Sequence, residues 1–133
     1  MGSKPLIVIA DDDASDRFLI KTAFEEAGVN VQIDEYEDGA ALIEYAKEPN
    51  KPEYPRFILL DLNMPKRTGM EVLEFLKSNP DACPVPVIIL STSSEQRDMS
   101  RATELGAVKY IVKPYDYTGY IDVVNSLRHY IES

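Results

Sequence analysis

Four strand-like runs in this chain each close on a group able to hold charge or donate a hydrogen bond. Leu6-Ile7-Val8-Ile9-Ala10 runs into Asp11, Asp12 and Asp13, and Phe57-Ile58-Leu59-Leu60 into Asp61. Val87-Ile88-Ile89-Leu90 ends in Ser91, Thr92, Ser93 and Ser94, and Val108 to Val112 ends in Lys113-Pro114. Carboxylates gathered at one place repel one another unless a cation offsets them, and hard oxygen ligands suit Mg²⁺. A Mg²⁺ held by few carboxylates keeps positions open for water or phosphate oxygens. Lys113 adds a point charge for a phosphoryl oxygen, and the Ser91 hydroxyl can donate to another. The set therefore describes a carboxylate nucleophile beside a metal, with donors for an incoming phosphoryl group. Asp61 is the most isolated acid and the natural nucleophile. Asp11 and Asp12 are better placed to hold the metal, because two adjacent residues at a strand end cannot both face one reacting atom.

For these tips to meet, the strands must be parallel, since parallel strands deliver their C-terminal ends to the same edge of a sheet. Continuous apolar runs bounded by turn signals are strands buried on both faces, as a parallel sheet requires. Between them lie helical patterns. Ile20, Ala23, Phe24 and Ala27 share one helix face, with Gly28 as the residue that ends it. Asp38-Gly39 turns into a helix from about Ala40 to Lys47, and Thr68-Gly69-Met70-Glu71 fits a capping box ahead of Val72, Leu73 and Leu76. Met99, Ala102 and Leu105 mark a weakly periodic helix stopped by Gly106. Tyr120, Val124, Leu127 and Ile131 place one last helix. The alternation of Val29, Val31 and Ile33 with polar residues predicts a half-exposed edge strand. Five strands alternating with five helices make an α/β doubly wound parallel sheet in a single domain spanning 1–133, with its core from about 6 to 131.

The bulk numbers bound the partners. A net charge of −9 over 133 residues argues against a nucleic-acid surface and leaves no basic patch for anionic lipid. One cysteine, Cys83, excludes an internal disulfide and fits a reducing, cytoplasmic compartment. It has no CxxC partner or neighbouring base and reads as a structural or surface thiol. No apolar stretch approaches the roughly 20 residues of a membrane span, and the N-terminus lacks a signal-peptide core. Met1-Gly2-Ser3 has the look of an expression scar.

Each motif alone has a plainer reading. Asp13 and Ser15 are good helix N-caps, and the hydroxyl run could cap a helix beginning at Glu95. Asp61-Leu62-Asn63 could be an ordinary turn, and Lys-Pro is a common pair. The joint arrangement, with a polar group closing every informative strand, is what favours chemistry.

An acidic pair after the first strand, Asp61-Leu62-Asn63-Met64-Pro65 with Gly69, then Ser91 and Lys113-Pro114, resembles the two-component response regulator receiver domain. The separations also fit that family: 30 positions from Asp61 to Ser91 and 22 from Ser91 to Lys113. The resemblance runs from about Leu6 to Ile131 and implies a flavodoxin-like (βα)5 fold with strand order 2-1-3-4-5. It implies that Asp61 accepts a phosphoryl group from the phosphohistidine of a sensor histidine kinase or phosphotransfer protein. Mg²⁺ would be bound by Asp12 and Asp61, by Asn63 through its backbone carbonyl, and by Asp11 through water. Lys113 would contact the phosphoryl group, with a cis peptide bond to Pro114, and Ser91 and Tyr110 would form the switch pair. Such a protein is a signalling phosphoacceptor rather than an enzyme. With nothing after the last helix, it is expected to stand alone without an output domain, acting by binding or onward phosphotransfer.

Ser91 replaces the family's commoner threonine, keeping the hydroxyl and losing a methyl. Asn63 and Ser93 occupy positions that in the family tune hydrolysis of the acyl phosphate. The long loop from Glu48 to Pro55 and the Asp-Leu-Asn-Met-Pro-Lys wording are similar to phytochrome-associated single-domain regulators. Tyr110, Tyr115, Tyr117, Tyr120 and Tyr130 fall in the last strand and helix region. They suit a docking or homodimer face formed by the fourth helix, fifth strand and fifth helix. His129, late in the last helix, fits a solvated or dipole-facing role rather than a phosphodonor.

Three competing functions fit less well. An aspartate-nucleophile phosphatase needs a second acid where this chain has Asn63, which cannot donate an acid proton. A flavin mononucleotide binder needs a Gly/Ser/Thr-rich first loop, where Asp11, Asp12 and Asp13 would repel phosphate. A degenerate receiver that works without phosphorylation would not keep every acceptor-site position filled.

Overall fold

The computed structural model describes residues 4–132, so Met1-Gly2-Ser3 lies outside the described residues. The elements in chain order are β1 (Leu6–Ala10), α1 (Ala14–Glu26), β2 (Gln32–Tyr36), α2 (Gly39–Lys47), β3 (Ile58–Leu60) and α3 (Gly69–Ser78). They continue with β4 (Val87–Ser91), α4 (Gln96–Glu104), β5 (Lys109–Val112), α5 (Tyr117–Ser126) and α6 (Arg128–Ile131). The strands form one parallel sheet in the order β2-β1-β3-β4-β5. This is the flavodoxin-like order, and one sheet carries all five strands of the described residues.

Alternation along the strands splits the core into two layers. Ile7, Ile9, Leu59, Ile88 and Leu90 point to the side covered by α1 and α5, where they meet Phe24, Val124 and Leu127. Val8, Ala10, Ile58, Leu60, Val87 and Ile89 point to the side of α2, α3 and α4, where they meet Leu42, Leu73 and Ala102. A strand covered on both faces has no position left for a polar residue until it emerges, which is why these runs are unbroken and end so abruptly.

Three expectations need correction. The edge strand begins later than the Val29–Ile33 alternation suggests, pairing Leu6 with Gln32 and Ala10 with Tyr36. Val29 belongs instead to the end of α1. Gly28 takes the left-handed conformation at φ 73°, and the Val29 amide then donates back to the Phe24 carbonyl at 3.0 Å. The last helix is also not continuous. The Leu127 amide bonds the Val124 carbonyl at 3.0 Å, and the Ser126 hydroxyl donates to the Val123 carbonyl at 2.6 Å. This tightened turn separates α5 from α6. Finally, no peptide bond among the described residues is cis, so Lys113–Pro114 is trans.

Candidate functional site at the strand tips

Strand parity decides which side of the sheet each tip residue serves. Asp11 continues the Ile7 and Ile9 row and Asp61 continues the Leu59 row, while Lys113 follows Ile111, which packs on the same layer. All three therefore emerge towards α1 and α5. Ser91 follows Val87 and Ile89 and shares the α4 side with Tyr110. Each tip is held by its neighbouring strand. The Asp11 amide donates to the Tyr36 carbonyl at 3.0 Å, the Asp61 amide to Ala10 at 2.9 Å, and the Lys113 amide to Ser91 at 2.8 Å.

Asp11, Asp61, Ser91 and Lys113 are all buried, whereas Asp12 and Asn63 are exposed. Among the described residues, Asp11, Asp12 and Asp61 are the one group of acids whose ligand oxygens converge, within 4.8 Å of one another. The Lys113 Nζ reaches Asp11 Oδ2 at 2.8 Å, Asp16 Oδ2 at 2.7 Å and Asp61 Oδ2 at 3.2 Å. Asp11 Oδ1 accepts from the Asp13 amide at 2.9 Å, and Asp61 Oδ1 accepts from the Asn63 amide at 3.2 Å.

Burial dominates the electrostatics of Asp11, pushing its carboxyl from an ordinary 3.8 up to about 6 despite the opposing bond from Lys113. For Lys113 burial acts against the ammonium, but the bonds to Asp11 and Asp16 and the charge of Asp61 outweigh it and raise its pKa. One ammonium thus serves several buried or half-buried carboxylates. The negative charge left over and the hard oxygen donors fit a divalent cation. Asp11, Asp12 and Asp61 are the side chains that could hold it.

The remaining parts come from local sequence. Asp13 is the N-cap of α1, its side chain accepting from the Ser15 and Asp16 amides at 2.8 and 3.2 Å, so the plainer reading of that residue is the one seen. The capping box forms in full: Thr68 accepts from the Glu71 amide at 3.2 Å, and Glu71 accepts from the Thr68 amide at 2.9 Å. Gly69 lies so close to the end of β3 that a Cβ there would collide with the carbonyl oxygen of Asp61 and with Leu62 Cα. On the other side, the Ser91 hydroxyl accepts from the Ser93 amide at 3.3 Å, and the Tyr110 hydroxyl donates to the Ser93 carbonyl at 2.8 Å. The hydroxyl run does not cap α4. Glu95 is the N-cap and makes no side-chain capping bond, while the Ser93 hydroxyl donates to Asp98 at 2.6 Å.

Two contacts of the site were not anticipated from the sequence. Asp16 lies in the first turn of α1, where an acid is usual on dipole grounds alone, so its hold on Lys113 gives no distinct signal. Arg17 donates to the Asp11 carbonyl and pairs with Glu35 at 2.8 Å, tying the acidic loop to α1 and β2.

A parallel sheet in this order, with acids and a lysine converging at its carboxyl edge, defines a doubly wound α/β domain with its site at the strand tips. The chain matches the response regulator receiver domain over residues 7–125 and belongs to that family. It is similar to the probable methanogenesis regulatory protein FilR2 of Methanothrix harundinacea, with 32% identity over 94% of this chain and 82% of that protein. Response regulator Rcp1 of Synechocystis is 28% identical over 94% of this chain and 87% of its own. The phosphorylated cyanobacterial phytochrome response regulator RcpA superposes with a TM-score of 0.86 at 30% identity, covering 98% of this chain and 96% of its own. The Mn²⁺-bound form of Rcp1 gives 0.84 at 27% identity, with the same coverage. The chain is thus a component of two-component signalling, related to phytochrome response regulators. No helix among the described residues is long and apolar enough to cross a membrane.

Proposed function

We propose that Asp61 accepts a phosphoryl group from the phosphohistidine of a sensor histidine kinase or phosphotransfer protein. The observation that carries this reading is the convergence of the Asp11, Asp12 and Asp61 oxygens within 4.8 Å of one another, with the Lys113 ammonium 3.2 Å from Asp61. The N–P bond of the donor breaks, an O–P bond to the Asp61 carboxylate forms, and the imidazole leaves with the bonding pair. Asp11, Asp12 and Asp61, with the Asn63 carbonyl, would hold Mg²⁺, which supplies charge neutralisation for the transferring group. Lys113 offers its ammonium to the phosphoryl oxygens. Asn63, in place of a second acid, cannot serve as general acid, which argues against a phosphatase.

Ser91 and Tyr110 are the switch pair of this reading. The Ser91 hydroxyl turns towards the phosphoryl group, and Tyr110 follows it from its bond to Ser93. The change is read on the face of α4, β5 and α5, where Val108, Val112 and Tyr115 are exposed. That face suits a second copy of the chain or a downstream protein in the cytoplasm. Incubation with acetyl phosphate and Mg²⁺ should add one phosphoryl mass to the wild type and none to Asp61→Asn. Equal labelling of both would place the acceptor elsewhere.

A further inference from the structure

An ammonium has three N–H donors, and those of Lys113 face three carboxylates, Asp11, Asp16 and Asp61. Two of the three belong to the proposed metal and acceptor set. Asp16 does not. It sits on α1 rather than on a strand tip, its side chain is 25% exposed, and its contact with Nζ, at 2.7 Å, is the shortest of the three. The Lys113 side chain is only 6% exposed, so water does little to dilute this attachment. The bond to Asp61, at 3.2 Å, is the longest. The ammonium is drawn to the α1 side of the site, away from the carboxylate on which the phosphoryl group would form.

We infer that Asp16 is a positioning residue that competes with the phosphoryl group for Lys113 and so weakens the site's hold on that group. The inference rests on the phosphoacceptor reading of Asp61. The physical reason is charge. A phosphoryl group on Asp61 brings further negative charge to a buried cluster with one ammonium, and Asp16 both adds like charge nearby and takes up part of that ammonium. The capped first turn of α1 holds Asp16 at this place: Asp13 bonds the Asp16 amide, and Arg17 bonds the Asp11 carbonyl beside it. The chain can therefore set how readily it is phosphorylated through a residue that touches neither metal nor phosphoryl group.

The test uses beryllofluoride, an anionic mimic of the phosphoryl group, titrated at saturating Mg²⁺ and followed by NMR at Asp61 and at the Lys113 ammonium. Asp16→Asn keeps an oxygen for Lys113 and removes the charge. It should bind beryllofluoride about tenfold more tightly at low salt, with the advantage shrinking as salt rises, and should label faster with acetyl phosphate. Asp16→Glu keeps the charge and should stay close to wild type. Thermal melts of all three proteins establish that each is folded at the temperature of the titration. Unchanged or weaker binding by folded Asp16→Asn, with wild type binding normally, overturns the competition. If Asp16→Asn does not fold, Asp16→Ser takes its place as the variant without the charge, and binding by folded Asp16→Ser no tighter than wild type overturns the competition. A wild type that shows no beryllofluoride effect at Asp61 removes the phosphoacceptor reading itself.

Discussion

Asp11 is held as a buried anion against its preference, so replacing it with a neutral residue should stabilise the protein in the absence of metal. Its carboxyl rises from 3.8 to about 6, chiefly through burial, and its side chain is only 7% exposed. Because the folded value lies above the unfolded one, the folded state holds the proton more tightly, and stability falls as pH rises between the two. Each pH unit of that interval is worth about 1.4 kcal/mol, so the charged group costs at most about 3 kcal/mol at pH 7. The same linkage makes the cost smaller at pH 5 and close to nothing at pH 4. Asp11→Asn does not recover all of this. Its amide can accept from the Asp13 amide only by turning its NH₂ towards Lys113, a donor facing a donor, which costs about 1 kcal/mol. The expected gain is thus about 2 kcal/mol at pH 7, shrinking to nothing by pH 4. Urea unfolding followed by circular dichroism in EDTA measures it. Added Mg²⁺ should raise the wild type more than the variant and narrow the gap. A variant no more stable than wild type at pH 7, or one whose advantage is the same at pH 4, would refute the argument that buried charge sets the cost.

Gly69→Ala should destabilise the protein by about 2 kcal/mol in the same assay and slow labelling by acetyl phosphate, because the added Cβ meets Asp61 and Leu62 backbone rather than a side chain that could move. A neutral substitution would mean that α3 can shift away from the end of β3. Cys83 is 5% exposed, and burial pushes its thiol above 9.0, so alkylation at pH 7.5 should be slow in the folded protein and should accelerate with urea in step with unfolding. Rapid labelling in native buffer would show that the loop around Cys83 opens locally.

The central strands were legible because burial on both faces forbids polar residues, so Leu6–Ala10 and Val87–Leu90 announce themselves, as do the acids that follow them. The α3 start was equally plain, since a capping box is a local device whose partners lie three residues apart. Legibility failed where the deciding contact is distant. Val29 and Val31 mimic strand alternation, yet Val29 packs back onto α1 after Gly28 reverses the chain. The break at Leu127 comes from one hydroxyl, that of Ser126, bonding to a main-chain carbonyl. Asp16 illustrates the same limit within the site: 97 residues separate it from Lys113, and only the folded sheet makes them neighbours.

The two flanks of Asp61 differ in mechanical character. Below and beside it the backbone has no slack: its amide is bonded to Ala10, and α3 abuts its carbonyl so tightly that not even a methyl group fits at Gly69. Towards α4 the contacts are a few polar bonds through Ser93, whose carbonyl accepts from Tyr110 and whose hydroxyl donates to Asp98 and accepts from the Glu95 amide. Asp61 thus has a close-packed backbone wall on one side and a handful of side-chain hydrogen bonds on the other. On the proposed reading, displacement on phosphorylation would run into α4 and β5, so the direction of the response would be set by where the fold is unyielding as much as by where it is free to move.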